Sequence, residues 1–498
     1  MLPEATLKWF NGDEIRATVF YEKYAYENEL IPPQLWKRLA SQAASIEENG
    51  WYEKFYWLLE NFKFVPGGRI MFALGRKTKA TAMNCFYIPI KEDSIEGIFE
   101  CAKEMARTYS YGGGVGIDIS ILRPAGSPVN NSAIYSTGAV SFMDLFSKVT
   151  EIIGQKARRG ALMITIEDSH PDVLDFIRIK NDPLKQNVRY ANISVKITDE
   201  FMKRVQNDED WELKYNGKTF RVLKAREIWN ALIKNAWASA EPGVIFWDRA
   251  KEYSPTEYDE KMAIKGVNPC SEQCLEDYGA CNLGSLNLSY FVKKPFAREL
   301  DDKFWELAEK DIKEAVEYAE MKSMAYIDLI SLSRAIHYAV RFLDNVLDIT
   351  QYPILNQKEA SQYARRIGLG VMGLADMFAK LKIRYDDDRA LEVADKLFDF
   401  IKNETYLASV ELAKEKGSFP GFKREKHVEG KFLKGLKEEV LENIWNYGLR
   451  NACLLTIAPT GSISILAGAS NGIEPIFSLF YKRRSESLSK GEFEVVHP

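Results

Sequence analysis

The chain is poor in the residues that mark secreted, membrane-spanning or nucleic-acid-binding proteins. Six cysteines in 498 residues are too few for a disulfide-stapled extracellular scaffold, and the expectation is a reducing cytoplasm. Only four histidines occur, at positions 170, 337, 427 and 497. None stands at metal-ligand spacing from a cysteine or carboxylate, so no protein-built metal site is expected. Basic residues do not outnumber acidic ones, 67 against 71, for a formal net charge of −4. A global electrostatic footprint for nucleic acid is therefore missing. No apolar run approaches the roughly 18 residues of a membrane span. The opening Met1-Leu2-Pro3-Glu4 has no basic-then-apolar leader character.

What is present is ample core material, with 46% of residues apolar and 12% aromatic, which excludes disordered and fibrous classes. Residues 1–65 read as a helical preface, with Trp36, Trp51, Phe55, Tyr56 and Trp57 at helical spacings. Pro66-Gly67-Gly68 breaks it, and residues 66–498 read as one α/β unit. Short apolar strands are expected at Cys85–Ile90, Val115–Ile121, 161–166, 191–196 and 452–458. Amphipathic helices alternate with them. One opens on a capping box of Asp93 and Glu96 and carries Ile95, Ile98, Phe99, Ala102 and Met105 on its apolar face. A second carries Phe142, Leu145, Phe146, Val149, Ile152 and Ile153. Residues 300–350 and 388–416 are also helical. The alternation points to a largely parallel sheet or barrel.

Two literal motif matches fail on context. Gly368-Leu-Gly370-Val-Met-Gly373 follows the polar, helical run Gln362–Arg366 instead of a strand, so it reads as close helix packing and not as a dinucleotide site. Gly217-Lys218-Thr219 lacks the leading glycine of a phosphate loop. Cys101 and Cys453 lie in apolar surroundings and read as small core residues.

The strongest local signal lies at 268–288. In an extended segment alternate side chains share a face, so Asn268, Cys270 and Glu272 would present an amide, a thiol and a carboxylate together. Cys281 follows eleven residues after Cys270. A zinc knuckle of Cys270, Cys274 and Cys281 would need a fourth soft ligand, and none is visible in this stretch; catalysis is favoured. A second element, Ala458-Pro459-Thr460-Gly461-Ser462-Ile463-Ser464, reads as a strand-to-helix turn offering backbone amides and a helix dipole to a phosphate.

These segments resemble the catalytic (large) subunit of ribonucleotide reductase, in its adenosylcobalamin-dependent, class II form. The likeness runs from Phe10–Tyr24 through Pro66–Met71, Asn84-Cys85, Gly112–Gly116, Asn268–Glu272, Arg366–Asp376 and Pro459–Ile463 to Gly472–Pro475. It implies a ten-stranded α/β barrel with an N-terminal helical domain, incomplete at the C-terminus, because class II relatives extend well past Gly472–Pro475. A complementing C-terminal chain would then supply the remaining strands and a mobile cysteine pair. The preface is too short to hold an ATP-cone regulator as well.

The resemblance also implies roles. Cys270 would carry a thiyl radical that takes hydrogen from C3′ of the ribose, a reversible step because S–H and ribose C–H bonds are similar in strength. Glu272 would act as general base on the 3′-hydroxyl, and Asn268 would orient the sugar. Cys85 and Cys281 would close to a disulfide as the 2′-hydroxyl leaves. Asn84, Gly114, Pro459, Thr460, Gly461, Ser462 and Ile463 would line a ribonucleotide, most simply a diphosphate. Asp93, with Asn130, Lys185 and Arg189 on two loops, would bind a deoxynucleotide or ATP effector. Adenosylcobalamin, with its cobalt, is the implied cofactor, a thioredoxin-like or glutaredoxin-like protein the reductant, and a homodimer the assembly. The alternatives are a class I large subunit, or a catalytically silent nucleotide-binding fragment that needs a second chain.

Overall fold

The computed structural model describes residues 2–153, 160–181, 188–484 and 488–497. Four helices, Glu4–Trp9, Glu14–Val19, Pro32–Ala43 and Trp51–Leu59, form the preface. Asp13 caps the second through its side chain on Arg16 N, and prolines occupy the first turn of the third, where a missing N–H costs nothing. That third helix buries Leu35, Trp36, Leu39, Ala40 and Ala43 on one stripe. Trp36 meets Trp9 and Phe62 edge-on, with ring centroids 6.0 and 5.3 Å apart. Between the second and third helices Phe20–Tyr24 winds as a π-turn. The preface has no core of its own: Phe10, Leu39, Phe55 and Phe64 join one cluster with Leu343 and Val346 of the helix Leu329–Ile349 and Leu397 of the helix Asp388–Lys416.

The strands that follow are β1 (Phe64–Pro66), β2 (Cys85–Tyr87), β3 (Gly114–Asp118), β4 (Leu162–Glu167), β5 (Asn192–Ile197), the hairpin β6 (Asp210–Tyr215) and β7 (Lys218–Lys224), and β8 (Gly243–Phe246). Next come β9 (Gly266–Val267), β10 (Cys274–Leu275), β11 (Ala280–Cys281) and β12 (Leu283–Asn287). Strands β2, β3, β4, β5 and β8 run parallel in one sheet, and β11 joins its edge antiparallel to β2. A second sheet pairs β1 antiparallel with β12 and β12 parallel with the strand Gly368–Met372. Strand β4 is buried from Leu162 to Ile166 and apolar but for Thr165, as expected of a parallel strand covered on both faces. The α/β class implied by the sequence holds, as an N-terminal helical part leading into an open, largely parallel sheet. Among the described residues no helix is long and apolar enough to cross a membrane.

Three local expectations change. The helix Ile95–Ser110 is capped by Ser94, whose hydroxyl accepts from Gly97 N at 2.9 Å; Asp93 is thereby left for other partners. On that helix Ile98, Ala102 and Met105 are buried, while Ile95 and Phe99 are more than half exposed. The strand expected at 452–458 is reduced to a single parallel bridge, Leu455 to Leu369, although its backbone still runs beside residues 364–369: Ala452 N donates to the Ala364 carbonyl, Leu369 N to the Leu454 carbonyl and Thr456 N to the Leu369 carbonyl. Finally, Gly368 and Gly370 lie in a buried strand. A Cβ on Gly370 would fall 2.7 Å from the Thr456 carbonyl, so the close packing that these glycines permit is of a strand against the 452–458 segment and not of helices.

The long helices Leu329–Ile349 and Asp388–Lys416 are pinned by His337, whose Nδ1 lies 2.9 Å from Glu411 and Nε2 3.2 Å from Glu404. Burial works to lower the imidazole pKa, but the two carboxylates outweigh it and raise it to about 9. A raised folded-state pKa stabilises fully below the unfolded value and is lost as pH climbs through the folded one. His337→Gln is therefore expected to lower stability by roughly 1–2 kcal/mol at pH 6. The wild-type advantage should vanish between pH 7 and about 9 in chemical-denaturation curves.

Candidate active site

Two glycines let a hairpin lie against the sheet. β9 and β10 pair antiparallel, with Val267 opposite Cys274 and Gly266 opposite Leu275. A Cβ on Gly116 of β3 would come within 1.7 Å of the Val267 carbonyl, and one on Gly266 within 2.1 Å of the Tyr87 ring. Only a missing side chain on both elements allows so close an approach.

The tip of this hairpin, residues 268–273, is a turn and not the extended run the sequence suggests. Asn268 N donates to the Gln273 carbonyl at 3.1 Å and Ser271 N to the Asn268 carbonyl at 3.0 Å. Asn268 Oδ1 accepts from Gln273 N at 3.0 Å, and Ser271 takes φ 65°. Alternation along a strand therefore does not set the three residues on one face; the turn brings Cys270 and Glu272 to one cavity, which Asn268 does not line. Asn268 is fully buried and closes the loop, while Cys270 is exposed at its tip. The base of the hairpin is held by a buried ion pair, Glu276 with Arg366. The same guanidinium donates to Thr256 Oγ1 and the Met262 carbonyl, each at 2.8 Å, and to Cys453 Sγ at 2.7 Å.

A cavity of about 590 Å³ opens beside the tip. Cys270, Glu272, Asn84 and Cys85 line it, and so does the whole turn Pro459, Thr460, Gly461, Ser462 and Ile463. Burial pushes the Glu272 carboxyl above its usual range, the Asn268 amide pulling the other way. Glu272 Oε2 and Asn84 Oδ1, on two residues that line the cavity, are buried without a hydrogen-bond partner, two acceptors left to be satisfied. Gly114 sits opposite Cys85 in the β2–β3 register, where an added Cβ would lie 3.2 Å from Cys85 Sγ. In the turn Thr460 adopts φ 52° and its hydroxyl accepts from Gly472 N at 2.8 Å. The helix after it, Ile463–Ala467, has five residues, so its dipole is slight.

Cys85 and Cys281 stand directly opposite each other where β2 meets β11. Antiparallel partners have Cα atoms about 4.5–5.5 Å apart, within the span of a disulfide. All six cysteines are thiols. Cys281 is fully buried among Tyr87, Leu275, Leu283 and Ala458, with Cys85 packed against them. Burial, and then the proximity of Cys85, Glu272 and Cys270, drives the Cys281 thiol pKa far upward. Cys274 points elsewhere, into a group of Met163, Trp247, Ile264 and Val267. Cys270, Cys274 and Cys281 thus occupy different surroundings, which removes the geometric basis for a zinc knuckle.

Asp93 lines a separate cavity of about 320 Å³ with Ser120, Glu167, His170, Lys214 and Tyr215. Its carboxylate accepts from Arg123 Nε at 2.6 Å and from the Tyr215 hydroxyl at 3.0 Å. Neither Asn130 nor Arg189, both exposed, lines this cavity; Lys185 lies outside the described residues. Sequence reasoning did not single out Arg123 or Tyr215, nor Lys23, Arg69 and Lys79, which line the larger cavity. The Phe10–Tyr24 likeness contained Lys23 without marking it.

Mild oxidation of the protein is expected to join Cys85 to Cys281, detected by peptide mapping, and Cys270→Ser should leave that bond intact. Gly116→Ala should lower stability by about 2–4 kcal/mol and slow formation of the bond, as the hairpin is forced off β3.

The comparisons with known proteins agree with this geometry. The family model described as "Ribonucleotide reductase, barrel domain" matches residues 83–498, and the one described as "Ribonucleotide reductase, all-alpha domain" matches residues 10–79. A vitamin B12-dependent ribonucleoside-diphosphate reductase from Thermoplasma acidophilum is 38% identical over 437 residues, covering 86% of this chain and 50% of the relative. One from Mycobacterium tuberculosis is 32% identical over 481 residues, covering 94% and 62%. The ribonucleoside-diphosphate reductase large chain of Neurospora crassa is 28% identical, covering 83% and 46%. The chain thus spans about half to three-fifths of the length of these relatives. With a hairpin-borne thiol, a cross-strand cysteine pair and matches to both family models, the chain belongs to the ribonucleotide reductase large-subunit family.

Proposed function

We propose that this site reduces ribonucleoside diphosphates to deoxyribonucleotides, the precursors of DNA, through a thiyl radical on Cys270. One observation carries the reading: Cys270, Glu272 and Cys85 face a single cavity, and Cys281 is paired in register behind Cys85. The diphosphate and the cofactor are supported by the names of the relatives, which are vitamin B12-dependent ribonucleoside-diphosphate reductases. Adenosylcobalamin fits the residues present: Cys270 is exposed at the hairpin tip, and Gly461 across the cavity faces open space. When bound, it supplies the one-electron oxidising equivalent for the Cys270 thiol.

The chain's own residues do the rest. Cys270 takes the hydrogen from ribose C3′, and Glu272, as carboxylate, takes the 3′-hydroxyl proton. Asn84 and Asn268 fix the sugar and the loop. The 2′-hydroxyl leaves as water while Cys85 and Cys281 give two electrons and two protons and close to a disulfide, and Cys270 returns its hydrogen to C3′. The net change is a ribonucleotide plus two thiols to a deoxyribonucleotide, a disulfide and water. A thioredoxin-like or glutaredoxin-like partner would reopen the disulfide. The Asp93 cavity would take a deoxynucleotide or ATP effector, and a second copy of the chain would complete the assembly.

Turnover of CDP is expected with adenosylcobalamin and dithiothreitol, the remaining length of the relatives being supplied as a second polypeptide. Cys270→Ala should reduce it by about a thousandfold or more; turnover that survives this change sinks the mechanism. Glu272→Gln should cost about 10²–10⁴-fold. Because Glu272 must be ionised to act and its pKa is raised by burial, the wild-type rate should fall as pH drops through that raised value. The Gln variant should lose this acidic limb.

A further inference from the structure

The turn Pro459–Ile463 offers amides and hydroxyls but no charged side chain, and the short helix after it adds little dipole. A nucleoside diphosphate seated there needs a cation from elsewhere. Lys23 stands at the right place: its Nζ is 3.4 Å from Ser462 Oγ, and it lines the same cavity as Cys270 and Glu272. It comes from the helical preface, on the π-turn Phe20–Tyr24, a rare geometry that recurs at functional sites.

That turn is rigidly held. Phe20 and Tyr24 are buried on either side of Lys23. The Tyr24 carbonyl accepts from Arg38 at 3.1 Å and from Arg76 at 2.8 Å, and Arg76 also donates to the Ala25 carbonyl at 2.9 Å. The Tyr24 ring closes on Gly68, where an added Cβ would lie 3.2 Å from the tyrosine hydroxyl. Lys23 itself is half-buried, so its ammonium is partly shielded from bulk water and a phosphate contact there is strengthened.

We infer that Lys23 is a substrate-binding residue, which brings the helical preface into the active site by pairing its ammonium with the phosphates of a nucleoside diphosphate held on the Pro459–Ile463 turn. The inference rests on the function proposed above and adds a residue to it. Three other cations line the cavity. Arg69 is buried and stacked on the Phe72 ring at 5.1 Å, whereas Lys79, exposed to solvent, and Arg483, half-buried, are the rivals for the same phosphates.

Calorimetric titration of the full chain with CDP and, separately, with cytidine tests this without any need for turnover. Lys23→Met is expected to weaken CDP binding by ~10–100-fold while cytidine binding stays within about twofold; Lys23→Arg should recover most of the loss. Because cytidine serves as the internal control, a folding defect would weaken both ligands together and is separable from the expected pattern. An unchanged ratio of CDP to cytidine affinity in Lys23→Met, or a loss that follows Lys79→Met or Arg483→Met instead, overturns the assignment of Lys23. Failure of the wild-type chain to bind CDP at all would instead remove the diphosphate reading on which the assignment rests.

Discussion

The whole site hangs on one steric fact: the backbone of a hairpin can lie directly on the backbone of the sheet. Gly116 and Gly266 leave no Cβ at the two points of closest approach. The contact carries the hairpin tip to the N-terminal ends of β2 and β3, where Cys85 and Gly114 begin their strands. Backbone contact of this kind is stiffer than side-chain packing, because it has no rotamers to relax into. The Glu276–Arg366 pair then fixes the base of the hairpin from the other side. Its value lies in placement more than in net stability, since desolvating both charges offsets most of their attraction, while losing one partner alone would leave an uncompensated charge in the core.

Much of the site could be read in the sequence because its chemistry is concentrated in a few residue types over short spans. Asn268, Cys270 and Glu272 within five positions, and the small polar run at 459–463, are visible without a fold. The shape of the first run was not. Pro269 restricts the backbone beside Asn268, and Ser271 enters the left-handed region, so the segment turns where alternation alone would keep it straight. The Cys85–Cys281 register was also hidden, since it depends on which strand edge β11 reaches, and that is settled by long-range packing. The parallel strands β2 to β5 were legible because burial on both faces leaves short apolar runs, whereas β8, mostly exposed, and Gly368–Met372, rich in glycine, were not. The segment 452–458 has the same apolar look, yet it runs beside residues 364–369 with only one bridge, Leu455 to Leu369.

Residues outside the motif spans were the least visible. Arg123 and Tyr215 reach Asp93 from a loop and from a hairpin tip turned by Asn216 and Gly217, both at positive φ. Such a turn is simple to expect locally, but nothing local says which carboxylate its neighbour will meet. Lys23 is hidden for the same reason: a lysine in an amphipathic preface reads as solvated until the preface is seen to share its core with the long helices behind the sheet.

The unequal exposure of the paired cysteines gives electron delivery a direction. Cys85 borders the cavity while Cys281 is sealed behind it, so on the proposed chemistry an incoming reductant can form its mixed disulfide only with Cys85. Cys281 is then the leaving group, and its surroundings disfavour a bare thiolate. It must be protonated as it departs, which couples each reductive reset to the arrival of a proton as well as an electron pair.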